Sequence, residues 1–306
     1  MSRSGVRATL ALPIVLLLAA GCGATGNGSG DTGSAGGTSS TAVSGPGKNA
    51  ALAAMVPADV AKDGKLTIGT DTTYAPNEFV DDNNKTVGMD IDLGDAIAQE
   101  LGLTADFQAA SFDGILAGLS AGKFELAMSS FSVNADRLQT VDMVSYFTAG
   151  TSMAVLKGNP AGLTLDTLCG HTVAVQKGTT QSDDLATRSA TCTQGGKGAI
   201  TISEFQAQTD VALALTSKRA DAMLADSPVV DYAVKQTNGQ LAKVGASYAN
   251  APYGIGVAKN KGDFAKAVQG AVQALIDDGT YKKILDKWGV GAGAVAKSEL
   301  NPATSS

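Results

Sequence analysis

The segment LSAGKFELAMSS, Leu119 to Ser130, lines up without gaps on LTSKRADAMLAD, Leu215 to Asp226, every position displaced by 96. Each copy leaves a helical stretch through a small or basic turn, continues with an acid and a short apolar strand, and turns polar at the strand's carboxyl end. A weaker echo joins LTIGTDTT to VAVQKGTT, each a strand followed by Thr-rich loop residues. A helix–strand unit used twice in this way confines the chain to two similar α/β halves.

From Lys65 onward short β-rich runs alternate with longer helical ones, which supports the same fold class. Strands are expected at KLTIGT, LTADFQ, FELAMS, TSMAVLK, HTVAVQ, GAITIS, ADAMLA, LAKVG and PYGIGVAK. In GMDIDLGDAIAQELG, Leu93, Ile97 and Leu101 form an i, i+4 stripe, and Gly102 stands where a helix should stop. Phe264, Val268, Val272, Leu275 and Ile276 give a later helix a core face of the same kind.

Ligands of open α/β sheets bind outside the carboxyl ends of the strands, and two facing halves bring two such ends into one cleft. The first end, MSSFSVNADR, offers Ser130, Ser132 and Arg137. Polar groups there cost free energy unless something bonds them, and a small carboxylate would do so. Guanidinium forks a carboxylate with two parallel bonds, and a helix opening at Asn134 would add positive partial charge. The second end offers Asp226, either a partner for an ammonium or a cap of the helix that follows.

KGTTQ places Thr180, with Thr179 and Gln181, where donors to the carboxylate are needed. Tyr74 and Phe112 lie just past strands, where rings can sandwich a ligand's stem or seal packing. Asp71, if it points into the cleft, joins Gln176 in favouring a cationic or amide side chain. A turn-bonded Asp71 is the plain alternative, as is a surface pairing of Arg137 with Asp142 or Asp136.

The chain has 306 residues, enough for two domains, and its net charge of −6 argues against a nucleic-acid partner. Arg3 and Arg7, the apolar run ATLALPIVLLLAA and then Cys22 are similar to a bacterial lipoprotein signal covering residues 1–21, although Ala19 stands where that pattern usually has leucine. Cys22 is then the lipidated residue, and residues 22–56 a Gly/Ser-rich tether. The expected place is extracytoplasmic, lipid-anchored to the outer face of the bacterial cell membrane. Cys169 and Cys192 make an even pair in an oxidising compartment, where a disulfide is expected and two buried thiols are the alternative. His171 is the only histidine. Neither a zinc set, a Ser-His-Asp set nor a nucleotide loop can be assembled, so no metal, cofactor or catalytic residue is expected.

The run IGTDTTYAPNEF, VGMDIDLGDAIAQELGL, FDGILAGLSAGKFELAMSSFSVNADR, VAVQKGTTQ, ADAMLADSPVV and YGIGVAKNKGDFAKAVQGAVQALIDDGTYKKILDKWG resembles the polar amino-acid solute-binding proteins of bacterial ABC importers, over about Lys65 to Gly289. The resemblance implies a type II periplasmic-binding-protein architecture: two Rossmann-like lobes joined by a two-crossing hinge. It places lobe 1 at residues 57–152 plus 251–290, lobe 2 at 153–250 and a C-terminal tail at 291–306. It also implies a carboxylate clamp of Ser130, Ser132, Arg137 and Thr180, an ammonium acceptor at Asp226, and aromatic contacts from Tyr74 and Phe112. Asn77 and Asn134 depart from the family's pattern. The implied partners are a polar L-amino acid, with glutamine or a basic one favoured, and an ABC permease with its ATPase. The protein itself is expected to be a monomer and not an enzyme. A small-carboxylate dehydratase on the same fold and a ligand-sensing surface lipoprotein are the alternative functions.

Overall fold

A computed structural model describes residues 47–304. The chain runs through α1 (Ala50–Ala53), α2 (Ala58–Ala61), β1 (Lys65–Thr70), β2 (Thr73–Tyr74), β3 (Glu78–Val80), β4 (Thr86–Val87), α3 (Met89–Glu100), β5 (Thr104–Ala109), α4 (Phe112–Ser120), β6 (Leu126–Ala127), α5 (Ala135–Thr140) and the long β7 (Val141–Leu156). It continues with β8 (Thr172–Gln176), α6 (Thr180–Gln194), β9 (Thr201–Phe205), α7 (Gln208–Thr216), β10 (Ala222–Asp226), α8 (Ser227–Gln236), β11 (Leu241–Ala258), α9 (Phe264–Asp277) and α10 (Thr280–Trp288).

The main sheet has the order β5-β1-β6-β11-β7-β10-β8-β9. Read from its two edges inward, it repeats itself. β1 is parallel to β5 and β6, and β11 closes that group antiparallel to β6. In the same way β8 is parallel to β9 and β10, and β7 closes that group antiparallel to β10. The sequence repeat falls on equivalent elements, since α4 leads to β6 as α7 leads to β10, and the weaker echo matches β1 to β8.

The two groups meet where β7 and β11 pair antiparallel, with register shifts between Val244 and Tyr248, between Tyr248 and Ala251, and between Tyr253 and Gly254. Buried side chains change company at the same place. Tyr146, Phe147 and Ala149 pack with Leu66, Ile68, Leu93, Ile97 and the α9 face of Val268 and Val272. Ala154 packs instead with Ala174, Val211, Met223 and Val230, and Met153 with Val173, Val175 and Leu224. The α3 stripe is buried as its spacing requires, and Gly102 takes the left-handed φ of 71° that ends the helix.

Three features depart from the sequence reading. LAKVG and PYGIGVAK belong to one strand, β11, because the residues between them stay paired with β7. Asn49 caps α1, and Leu52, Met55 and Val56 pack on the core, so the end of the expected tether lies against the body. At the other end, Leu300 bridges Val144, and the Ser298 hydroxyl donates to the Ser145 carbonyl at 2.8 Å, which fastens the tail to β7.

No helix among the described residues is long and apolar enough to cross a membrane. The expected signal segment and Cys22 lie outside the described residues. Cys169 and Cys192 are joined, with Cα atoms 5.5 Å apart, and tie the end of α6 to the loop before β8.

Candidate functional site

β1 and β6 run opposite to β8 and β10, so the carboxyl ends of the two pairs face each other, and each delivers polar residues there. Asp226 ends β10 at the N-cap position of α8, yet its carboxylate makes no cap bond. It accepts hydrogen bonds from Tyr253 Oη at 2.7 Å, Tyr74 Oη at 3.0 Å and Gln181 Nε2 at 2.7 Å. The Tyr74 oxygen in turn accepts the Asp226 backbone N–H at 3.1 Å. Burial raises the Asp226 pKa above the ordinary aspartate value, against those three bonds and the attraction of Arg137.

Arg137 lies in α5, whose start is fixed by Asn134: its side chain accepts the Arg137 N–H at 2.8 Å. The half-buried guanidinium stands 5.4 Å from the Phe112 ring and 5.2 Å from that of Phe131, which themselves stack at 4.6 Å. Its nitrogens donate to the Ser132 carbonyl at 2.8 Å and, across the cleft, to the Gly178 carbonyl at 3.2 Å. Neither Asp136 nor Asp142 pairs with it; Asp142 takes Lys259 instead. Burial lowers the Arg137 pKa to about 10, with Asp226 the largest opposing influence, so the group remains a cation at neutral pH.

Tyr74, Phe112, Ser130, Ser132, Arg137, Thr179, Thr180, Gln181 and Asp226 line one cavity of about 10 Å³. That is room for about one water molecule. The halves are therefore drawn together, and other contacts cross between them: Lys177 Nζ to Asp113 Oδ2 at 3.1 Å, the Gln208 N–H to Thr73 Oγ1 at 3.0 Å, and the Phe79 and Tyr232 rings at 5.8 Å.

Asp71 and Gln176 are absent from this lining and bond each other, Gln176 Nε2 to Asp71 Oδ2 at 2.9 Å. Asp71 Oδ1 accepts from the Thr73 N–H and hydroxyl, and Oδ2 also accepts the Phe112 N–H, so both carboxylate oxygens are engaged. Gln176 Oε1 is buried without a partner, as are both side-chain polar atoms of Gln208. Thr179 caps α6, its side chain accepting the Ser182 N–H. Gln181 donates to the Asp226 carboxylate and to the Thr151 hydroxyl.

Sequence reasoning missed Tyr253 and Phe131 altogether. Tyr253 sits in PYGIG, a run read only as strand, and nothing local marks its hydroxyl as a partner for a residue 27 positions away. His171 precedes β8 and so lies at the opposite end of that strand, facing Asp221 at 3.3 Å.

A cation and an anion from opposing halves, meeting at strand carboxyl ends beside a hinge of two long strands, define a two-lobed small-molecule binding protein. Comparison places it more narrowly. Residues 66–291 match the model of the bacterial extracellular solute-binding proteins, family 3, and the chain belongs to that family. It is 35% identical over 251 residues to the arginine-binding protein ArgT of Corynebacterium glutamicum, covering 82% of each chain. It also superposes on an ancestral arginine-binding protein bound to arginine, with a TM-score of 0.68, 34% identity and coverage of 74% of this chain and 98% of that one. The structure of an ancestral arginine-binding protein bound to glutamine gives 0.69, 34%, 74% and 98%. The architecture is that of type II periplasmic-binding proteins.

Proposed function

We propose that the protein captures a polar L-amino acid between its lobes and presents it to an ABC permease and its ATPase. The observation that carries this reading is the facing of Arg137 and Asp226 across one cavity. An α-amino acid has one charge for each of them, a carboxylate that Arg137 forks and an ammonium that Asp226 accepts. Ser130, Ser132 and Thr180 complete the carboxylate's surroundings, and Tyr74 and Phe112 flank the stem. The lobes are residues 57–152 with 251–290 and residues 153–250, which fits the change of packing partners along β7 and β11.

Entry requires the lobes to part, and a ligand that touches both then favours the closed form by its differential contacts. The incoming ammonium exchanges with Tyr74 and Gln181 as partners of Asp226. At the distal end, parting frees Asp71 from Gln176. The pair then presents a carboxylate and an amide, which suits a basic or amide side chain. The relatives named for arginine, and the solved complexes with arginine and glutamine, support that choice. Cys22 holds the protein, as a monomer, to the outer face of the cell membrane.

Thermal unfolding of the chain from Lys48 to Ser306 against a panel of L-amino acids tests this reading. A ligand at about a thousand times its dissociation constant adds roughly 4 kcal/mol, which raises the midpoint by about 8 to 16 °C. The account expects such shifts with arginine, lysine or glutamine. A panel without any shift would overturn it.

A further inference from the structure

Beneath the clamp lie two acids that the binding reading does not use, Glu78 of β3 and Asp90 of α3, both fully buried. The Ser130 oxygen stands between them, 3.1 Å from Glu78 Oε2 and 3.4 Å from Asp90 Oδ2, and it receives Asn77 Nδ2 at 2.9 Å. Ser129 accepts the Asp71 N–H and donates to Glu78 Oε1 at 2.9 Å. Asp90 is the richer acceptor, taking the Ser130 N–H at 2.9 Å and the Tyr146 hydroxyl at 2.8 and 2.9 Å.

We propose that Glu78 and Asp90 hold one proton between them across the Ser130 hydroxyl, and that this proton fixes the turn from which Arg137 is aimed. The hydrogen count supports it. Ser130 owns a single hydroxyl hydrogen, which cannot satisfy two carboxylate oxygens, and two ionised acids this close and this deeply buried repel strongly. With a proton on Glu78, Glu78 donates to Ser130 and Ser130 donates to Asp90, so each contact has its hydrogen. Neither acid has a lysine or arginine among its hydrogen-bond partners in the described residues.

The groups facing the pair are Asp71 after β1, Tyr74 of β2, the serines after β6 and Tyr146 of β7. Burial, then the charge of Asp90, pushes Glu78 well above the ordinary glutamate range; burial raises Asp90 only to about 6. Glu78 is therefore the protonated member and Asp90 the anion near neutral pH.

The turn needs this support, because Ser130 adopts a left-handed φ of 53°, which is unfavourable in a residue with a Cβ. Two residues on, the Ser132 carbonyl receives Arg137 Nη1. Glu78 and Asp90 are thus positioning residues that act on the clamp through the turn. Loss of the proton places a second negative charge under Ser130 and loosens it.

Infrared spectroscopy of the whole protein tests the proton itself, and calorimetry with L-arginine tests its consequence, which rests on the amino-acid reading above. Near pH 7 the wild type is expected to show the carbonyl stretch of an un-ionised carboxylic acid, shifted in heavy water and missing in Glu78→Gln. Arginine affinity should weaken as the pH rises through the titration of Glu78, approaching a limit of about tenfold per pH unit for the single proton lost. Glu78→Gln, which mimics the neutral acid, should bind within about twofold of wild type near pH 7 and show a flatter profile. No un-ionised band in the wild type, which needs no variant to fold, would overturn the proposal, as would the same band persisting in Glu78→Gln. If the band is present and arginine binds at no pH, the proton stands and the amino-acid reading falls.

Discussion

Arg137 is a half-buried cation whose charge is answered by backbone carbonyls, aromatic faces and the more distant Asp226 and Asp183. Removing one partner from a buried, charge-assisted contact typically costs 2–5 kcal/mol. Arg137→Ala should therefore lose about a hundredfold or more in affinity for every amino acid the wild type binds, measured by calorimetry, with full affinity excluded. Arg137→Lys should recover little, because an ammonium cannot fork a carboxylate. Both Arg137 and Asp226 were legible in the sequence, one as an arginine following a row of hydroxyls, the other as an acid at an equivalent strand end. Their supports were not. Tyr253 and Phe131 act on partners that the fold, not the local pattern, brings near, and the bonding of Asp71 by Thr73 and Phe112 depends on a loop that periodicity does not describe.

Among elements, the loop between β8 and α6 packs closely against the other lobe. Gly178 has a left-handed φ of 77°, and a Cβ placed there would lie 2.8 Å from the Cβ of Asp113 in α4. Gly178→Ala combines a backbone cost of roughly 1 kcal/mol with a wedge between the lobes. It should weaken ligand binding by about tenfold or more while the unliganded midpoint moves little, since opening relieves the clash. At the far end of α6 the disulfide closes a loop of 23 positions. Replacing Cys169 and Cys192 with serine should lower stability by roughly 3 kcal/mol in denaturant titration, and leave affinity unchanged because the site lies at the helix's other end. The β–α alternation was readable from composition and period. The small sheet of β2, β3 and β4 was not, because strands of two or three residues show no alternation to read.

For the molecule as a whole, the repeat at an offset of 96 was the most informative feature of the sequence, since it predicted paired halves whose equivalent strands the sheet order displays. What it did not predict was how they join. β7 and β11 run unbroken from one half to the other, so the hinge is built into paired strands rather than into loops. Such a hinge favours bending about the shifted registers near Tyr248 over free rotation, and in the proposed function closure would bring Arg137 and Asp226 to one ligand. Amino-acid capture of this kind requires that both charges of an α-amino acid be read. The direct measurement is calorimetric titration of the wild type with L-arginine and with agmatine, which keeps the amine and guanidinium and lacks the α-carboxylate. The account predicts clear binding of arginine and a loss of about a hundredfold or more for agmatine. Equal affinity for the two would show that Arg137 does not hold the α-carboxylate.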